Sequence, residues 1–389
     1  MTFSMVAGVV ALKTVEGTSK NPSPPTAQQK NIAHKPRGSQ MQKQSTDLFA
    51  ADQRLQKMAQ YTKVLDALNK LVDWAALANV VNDSTGREAP QPQGGRPAYP
   101  TQALVKLIVL QQLYGNLSDE DTEYALLDRG SWQRFIGMTD ARNLPDARTI
   151  WHFKNQLAQA KGGAALFADV QRQLNAAGLQ AKGGQMIDAT IVPAPKMHFT
   201  KDEKQCLADA KTPEHWSDKQ IAHKDTDAGW TAKRGQWQYG YKAHANADQK
   251  HKLIRILDIT SASHSDMTHF APVLDTTLSR QKTGKTVHAD RGYDSQSNRQ
   301  TLNAHKLCDA IARKDDRKRF DQTDIHARNR RLSRIRARVE HIFGAWEQVI
   351  GKSIRCIGLV RATSQITVQA VVVNLRRWVT LSARGASCA

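Results

Sequence analysis

Cysteine, aromatic residues and long apolar runs are all scarce in this chain of 389 residues. The four cysteines form no CxxC pair and no Cys/His group at zinc spacing, lying at Cys206, Cys308, Cys356 and Cys388. This excludes a disulfide framework and a zinc module, and favours reduced thiols in a cytoplasmic protein. The apolar run Met5–Leu12 lacks the basic flank of a signal peptide and is far shorter than the roughly 20 residues that span a bilayer. We therefore predict no membrane segment.

Acidic residues are also in deficit. The chain has 36 Asp and Glu against 56 Lys and Arg, a formal charge of +20, which indicates a polyanionic partner, most simply nucleic acid. From Arg280 onward there are 23 Lys or Arg and 9 Asp or Glu, so most of the excess lies in the C-terminal part. We expect the polyanion to lie against that part.

The N-terminal half divides into a tail and a helical domain. Residues 1–46 are rich in Ser, Thr, Pro, Gln and Lys and predict a disordered tail. Because Met41 precedes the first periodic segment, it is open whether residues 1–40 belong to the native protein, which mass spectrometry would settle. Residues 47–178 predict an all-helical, DNA-binding domain. Its predicted helices are Leu55–Leu77, Pro100–Tyr114, Ser118–Leu127, Trp132–Gly137 and Asp146–Ala177.

Two readings of the short helices around Gly130 stay open. Ser118 is a helix cap, and the turn at Gly130 separates two helices that could enter a DNA groove as a helix-turn-helix. The alternative is an ordinary helical hairpin within a core, which the lack of a clear basic recognition face favours. A Pro/Gly loop at 89–99 divides the helical domain.

Residues 183–382 predict a second domain that opens with a buried strand carrying Asp188. A lone carboxylate in a strand is costly unless it is paired, hydrogen-bonded or bound to a cation, and a metal ion is one explanation. Residues 196–234 are polar and irregular, and predict an insertion or a substrate-contacting loop. The alternating segments Gln236–Ala247 and Leu253–Thr260 predict a hairpin. There Lys242 and His244 share a face, where they are either phosphate contacts or simply solvated.

The next elements predict alternating helices and strands. A helix at Ser265–Ser279 is followed by a strand, Thr286–Ala289, that ends in Asp290. The carboxyl end of such a strand is where ligands bind in sheets covered by helices. The nearby Asp294 is better explained as a solvated residue or the cap of a helix at Gln296–His305. A further strand is predicted at Leu307–Ala312, followed by a basic run at 313–319.

The segment from Arg328 to Lys352 predicts a helix that carries chemistry. Apolar residues recur at three- and four-residue steps and form one buried stripe: Leu332, Ile335, Val339, Ile342, Phe343, Trp346 and Ile350. Glu340 falls just beside this stripe. Arginines crowd the first half of the helix, against the preference of its dipole, and a phosphate would compensate them. They are Arg328, Arg330, Arg331, Arg334, Arg336 and Arg338. A solvated basic face with an incidental Glu is the alternative.

The order of strand, hairpin, helix, strand, helix, strand and helix is the layout of a ribonuclease-H-like nuclease domain. The predicted fold class is therefore α+β or α/β, with a mixed sheet flanked by helices. Asp188, Asp290 and Glu340 would repel one another unless hard divalent cations lay between them, and carboxylate oxygens suit Mg²⁺. Two such ions about 4 Å apart can activate an attacking oxygen and stabilise a leaving oxygen in phosphoryl transfer. A helix at Ala362–Leu381 closes the chain.

Several segments resemble DDE transposases of bacterial insertion sequences, in particular the insertion-sequence-five family. The segments MIDATIVPAP, YGYKAHANADQKHKLI, HADRGYDS and RARVEHIFG are similar to its core motifs. GRPAYPTQALVKLIVLQQLYGNLSDEDTEYAL and LPDARTIWHFKNQL resemble its N-terminal domain. Together the similar segments span Leu48–Leu381.

The resemblance implies that Asp188, Asp290 and Glu340 form a metal-binding triad for two Mg²⁺ ions, with Mn²⁺ as a substitute. It also implies binding to the terminal inverted repeats of an element. Related transposases carry a Tyr, Arg, Glu, Lys signature around the catalytic Glu. Arg336 and Glu340 match it, but Ser333 stands at the Tyr position and Glu347 at the Lys position. Roles assigned to that tyrosine and lysine do not carry over.

The sequence thus predicts a cytoplasmic, nucleoid-associated transposase that cleaves the 3′ phosphodiester at element ends and joins the freed hydroxyl to target DNA. It would act on double-stranded DNA as a homodimer or larger assembly. The expected DNA contacts are Lys242, His244, Arg331, Arg334, Arg336 and Arg338. Two alternatives stay open: a nuclease of the same fold without strand transfer, and an inactive DNA-binding protein.

Overall fold

The computed structural model describes residues 61–87, 97–209, 211–233, 235–280, 284–314, 322–351 and 353–386, together with Gln53, Gln56 and Lys57. The predicted tail at 1–46, most of the loop at 89–99 and most of the basic run at 313–319 lie outside the described residues. Leu55–Ala389 forms one compact unit. None of the helices among the described residues combines the length and the apolar character of a membrane span.

Helices make up the described chain before residue 177. Two of the predicted helices are divided. Asp73 ends the first because its side chain accepts the N–H of Ala76 and caps a new helix, and Lys161, with φ at 52°, breaks the last. The helices are α1 (Lys63–Leu71), α2 (Trp74–Thr85), α3 (Thr101–Leu113), α4 (Asp119–Asp128), α5 (Gly130–Ile136), α6 (Ala147–Gln159) and α7 (Gly162–Ala176).

Helix α3 is apolar on nearly all sides and lies at the centre of this layer, as such a helix must. Helices α4 and α5 follow the predicted boundaries closely, with Ser118 as the cap of α4 and Gly137 ending α5 in a left-handed conformation. The face of α5 is buried through Trp132, Phe135 and Ile136. Both the core hairpin and the helix-turn-helix bury this face of α5, so the choice between them stays a prediction.

One six-stranded sheet follows, in the order β2-β3-β1-β5-β6, with β4 also paired to β3. Strand β3 is antiparallel to its neighbours, whereas β1, β5 and β6 run parallel. The sheet is therefore mixed and flanked by helices. The strands are β1 (Gln185–Pro193), β2 (Gly229–Lys233), β3 (Gln236–Asp248), β4 (Ile254–Ser261), β5 (Thr286–Ala289) and β6 (Cys308–Ile311).

Two predictions about this region are wrong. The expected helix at 265–279 is instead two short 3-10 segments, Asp266–His269 and Thr276–Arg280, and Pro272 between them cannot donate a helical hydrogen bond. The polar insertion is not irregular throughout, since it contains strand β2 and two capped helices. These are α8 (Lys201–Ala208) and α9 (Asp218–His223), each begun by a capping box.

Three later helices complete the fold: α10 (Gln296–Ala304), α11 (Gln322–Ile350) and α12 (Leu359–Ala386). Helix α11 begins earlier than predicted, but its apolar stripe is buried from Val339 to Ile350. Helix α12 packs on α3, α6 and α7 of the helical layer and on β4 of the sheet. The helical layer and one part of the sheet thus share a large hydrophobic cluster, and a second cluster lies around Ile187 and Val287. The domain boundary between 178 and 183 stays a prediction.

Candidate active site

The pairing of β1 with β5 brings two acidic residues to one edge of the sheet. The strands are parallel, and Ile187 lies opposite Ala289, so the next residues along, Asp188 and Asp290, are neighbours. Adjacent strands are about 4.8 Å apart. Asp188 is half-buried, and its Oδ1 accepts the N–H of Ala189 at 2.8 Å. Asp290 follows the strand, and its Oδ1 accepts the N–H of Arg291 at 2.6 Å.

Helix α11 brings Glu340 toward the same place through Arg336. The Nη1 of Arg336 donates to Asp290 Oδ1 at 2.6 Å, and its Nη2 lies 4.0 Å from Glu340 Oε1. The side chain of Asp290 is 43% exposed and that of Glu340 is 65% exposed. One guanidinium therefore lies between two solvent-accessible carboxylates. We call Asp188, Asp290 and Glu340 the acidic edge.

Tyr293 is a buried residue at this site that the sequence analysis did not single out. It ends the short 3-10 turn after Asp290, and its hydroxyl has no hydrogen-bond partner among the described residues. Burial raises the pKa of Tyr293, and the charges of Asp188, Asp266 and Asp290 raise it further. The only sequence signal is its place in the HADRGYDS segment. Its neutral hydroxyl is an available donor beside the acidic edge.

A cleft of about 450 Å³ opens between the ends of β5 and β6 and the first half of α11. Its lining includes Asp290 together with Arg291, Arg330 and Arg336. His288 also lines the cleft. Burial and, to a smaller extent, the charge of Arg338 together lower the pKa of His288 to about 4. A cleft with arginines beside a carboxylate suits a phosphodiester, which arginine binds with two parallel hydrogen bonds.

Lys242 and His244 do not face solvent as predicted. The Nζ of Lys242 lies 2.9 Å from Asp266 Oδ1, and its side chain is only 12% exposed. His244 is fully buried, its ring stacked on His269 and its Nε2 at 3.0 Å from Thr260 Oγ1. The prediction failed because the segment around 264–269 covers this face of β3. Burial lowers the pKa of His244 to about 4, the charge of His269 acting in the same direction.

Some arginines of α11 bind other residues of the protein, and others are exposed to solvent. Arg328 donates to the backbone oxygens of Ile311 and Asp309, and Arg336 binds Asp290. Arg331, Arg334 and Arg338, by contrast, are exposed. At the two positions that depart from the family signature, both side chains are exposed, and Ser333 Oγ donates to Arg330 O at 2.9 Å.

The acidic edge supplies only oxygen ligands, and these suit a hard cation such as Mg²⁺. In the described part of the chain, no group of three His, Cys, Asp or Glu side chains is arranged to hold a metal ion. At Asp290 and Glu340, the guanidinium of Arg336 lies between the two carboxylates. In their chemistry, the three carboxylates match the oxygen ligands that Mg²⁺ prefers.

Comparisons with known proteins point to one class. A family model described as "Transposase DDE domain" matches residues 180–375, just over half of the chain. A second, described as "Transposase domain (DUF772)", matches residues 53–156. The first match contains the whole acidic edge, and the second covers most of the helical layer.

Among solved structures, the cryo-EM structure of the piggyBac transposase synaptic complex with hairpin DNA aligns with 83% of this chain and 76% of that chain. The identity is 9% and the TM-score 0.40, a similarity too low to support any argument about this chain.

Proposed function

Because the chain belongs to the transposase DDE domain family, we propose that it is an insertion-sequence transposase of the insertion-sequence-five type whose catalytic carboxylates are Asp188, Asp290 and Glu340. It would bind the terminal inverted repeats of its element, hydrolyse the 3′ phosphodiester at each end and join the freed hydroxyl to target DNA. Such a protein would act in the bacterial cytoplasm, where the DNA lies. Pairing of two ends requires a dimer or larger assembly.

One observation carries this proposal. Asp188 and Asp290, 102 positions apart in the chain, are neighbours through the β1–β5 register, and Arg336 lies between Asp290 and Glu340, which follows 50 positions later. The order of strand, hairpin, strand, helix, strand and helix supports a ribonuclease-H-like fold for residues 183–382. The neighbouring basic cleft gives a phosphodiester room beside the carboxylates.

The acidic edge would hold two Mg²⁺ ions, or Mn²⁺ in their place. When bound, these ions would supply the activation of the attacking oxygen and the stabilisation of the leaving oxygen. Arg336 would then turn from Asp290 to a phosphate oxygen and remain within reach of Glu340. Tyr293 would stay neutral and could donate its hydroxyl hydrogen at the edge. In this arrangement Arg336 balances charge before the metal and the DNA arrive.

The remaining DNA contacts are proposed from charge and exposure. Arg331, Arg334 and Arg338 are exposed and would contact DNA phosphates. His244 is buried and Lys242 is ion-paired with Asp266, so neither is free to bind a phosphate in this conformation. Each phosphate neutralised adds about 0.9 to the slope of log K against log salt. Salt-insensitive DNA binding would contradict this assignment.

Cleavage of a labelled DNA end from the parent element, in Mg²⁺, in Mn²⁺ and in EDTA, tests the proposed function. We expect nicking at the element end with either metal and none in EDTA. A plasmid target added to the same reaction should yield joined products. Nicking without joined products would instead establish a nuclease of the same fold. DNA binding without nicking in any metal would contradict the enzymatic assignment.

A further inference from the structure

Helix α11 carries two charged faces that point in different directions. Successive helical residues turn by about 100°, so Arg336 and Glu340, four apart, share the face that meets Asp290. Arg338 lies two residues before Glu340, about 200° round the helix from it. Arg334 and His341 lie on the same side as Arg338, and all three are exposed. The arginines of this helix therefore do not all serve the acidic edge.

The second face of α11 meets further basic residues from two other elements. A cavity of about 260 Å³ lies between α11, α12 and the turn after β3. Its charged lining consists of Lys252, His341, Arg376 and Arg377, and no carboxylate is among its lining residues as described. We call these four residues, with Arg338 and Arg384, the basic face.

The cations of the basic face are close enough to affect one another. Burial lowers the pKa of Lys252, and the charges of Arg377, Arg338 and Arg384 lower it further. Burial likewise lowers the pKa of Arg377, together with the charge of Arg384, while Asp248 acts in the opposite direction. Like charges held together in this way destabilise the fold unless an anion lies between them.

The position of the basic face excludes the cleaved phosphodiester as that anion. It lies across α11 from Glu340, and an α-helix with its side chains is about 10–12 Å across. A phosphate bound at the acidic edge cannot also lie between Lys252 and Arg376. The exposed guanidinium groups of Arg338, Arg376 and Arg384 are suited to the phosphates of an extended backbone.

We propose that the basic face binds the phosphate backbone of a DNA duplex segment other than the one being cleaved at the acidic edge. This proposal rests on the proposed function. Two sources share this chemistry: target DNA of arbitrary sequence, and the element's own DNA away from its end. In either case the two faces of α11 hold two stretches of DNA at once, one for chemistry and one for positioning.

The test compares two double variants that each remove two positive charges. Arg376→Gln with Arg384→Gln alters the basic face, and Lys201→Gln with Lys219→Gln alters exposed lysines of the polar insertion. We measure the salt dependence of binding to a long duplex of unrelated sequence, cleavage of a short element-end duplex in Mg²⁺, and joining to a plasmid target. Thermal melting of both variants checks that each is folded.

For the basic-face variant we expect the slope of log K against log salt to fall by about 2, since each contact contributes about 0.9. Joining should fall roughly tenfold as binding weakens, while cleavage of the short duplex stays unchanged. The control variant should behave as wild type in all three assays. An unchanged slope in the basic-face variant, or an equal fall in the control, would overturn the proposal.

A further arm separates the two sources of DNA. If the basic face binds target DNA, the variant loses affinity for unrelated duplex and for a long element-end duplex alike. A greater loss on the element-end duplex would assign the face to the element's own DNA. Failure of the proposed function would give a different result, because the wild type would then cleave element ends in no metal. The salt dependence of duplex binding would still test the basic face on its own.

Discussion

The acidic edge and the polar insertion use carboxylates in opposite ways. In the insertion, Glu203 is buried and accepts from Trp216 Nε1 at 2.5 Å, Lys224 Nζ at 2.6 Å and Thr200 N at 2.7 Å. Asp225 is just as enclosed, since both its carboxylate oxygens accept the hydroxyl of Tyr241. At the acidic edge, Asp290 and Glu340 are solvent-accessible and share one guanidinium.

The difference separates structural carboxylates from those open to a ligand. The oxygens of Glu203 are satisfied by donors from within the insertion, and those of Asp225 by Tyr241 of strand β3, so the charge of both carboxylates is already stabilised. The edge carboxylates have a partner that can be exchanged, because an exposed ion pair contributes only about 0–1 kcal/mol. Substitutions in the insertion should therefore change stability, and those at the edge should change activity.

The largest expected effect is at Asp290. Asp290→Asn keeps the shape of the side chain but removes the negative charge beside Asp188. We expect cleavage of element ends to fall by about 10³-fold, which corresponds to several kcal/mol of lost metal stabilisation. Melting should change little. A variant that melts far below wild type would instead make Asp290 a structural residue, like those of the insertion.

A smaller loss is expected for Arg336→Gln. If Arg336 positions a phosphate, losing a charge-assisted contact worth about 1.5–3 kcal/mol should lower kcat/KM by roughly 10- to 100-fold. Arg336→Lys, which keeps the charge but not the planar fork, should recover only part of the activity. Full activity in Arg336→Gln would show that Arg336 does not position the phosphate, and that it only neutralises the carboxylates before DNA binds.

Tyr241→Phe tests the contact between the insertion and strand β3. The change removes a buried donor to Asp225, and the free energy of unfolding should fall by about 1.5–3 kcal/mol, as for hydrogen bonds to charged groups. Cleavage measured below the melting range should be unaffected. Chemical denaturation gives the first quantity and the element-end assay the second. Loss of cleavage in a stably folded variant would break the division between the two regions.

The smallest effect concerns pH. Hydrogen bonds from Lys224, Thr200 and Trp216 lower the pKa of Glu203 from 4.5 to about 2. A carboxylate with a lowered pKa contributes stability above its ordinary pKa, and this contribution is lost as the pH falls toward 2. Between these values the unfolding free energy of wild type should fall faster than that of Glu203→Gln. Parallel pH curves for the two proteins would contradict the assignment of Glu203.

The parts of this arrangement that depend on local sequence could be predicted. The strand around Asp188, the strand ending before Asp290 and the buried stripe from Val339 to Ile350 each follow from a short-range pattern, and the structure confirms these elements. Their joint role in catalysis stays a prediction. The period of a helix also sets Arg336 and Glu340 on one face, whatever packs against it.

The parts that depend on distant residues could not be predicted. Alternation along β3 indicated a solvated face at His244, but the segment carrying His269 covers it. The insertion looked irregular because its apolar residues, Phe199 and Trp216, are buried in a cluster that they share with distant elements such as Tyr241 of β3. The contact between Arg336 and Asp290 likewise joins residues from two elements, and no spacing pattern reveals it.

The most direct measurement is cleavage of a labelled element end by wild type and by Glu340→Gln, in Mg²⁺ and in EDTA, with DNA binding measured alongside. We predict metal-dependent nicking by wild type that is lost in the variant while binding persists. Undiminished nicking by Glu340→Gln would contradict the central claim, because the carboxylate that Arg336 links to Asp290 would then take no part in catalysis.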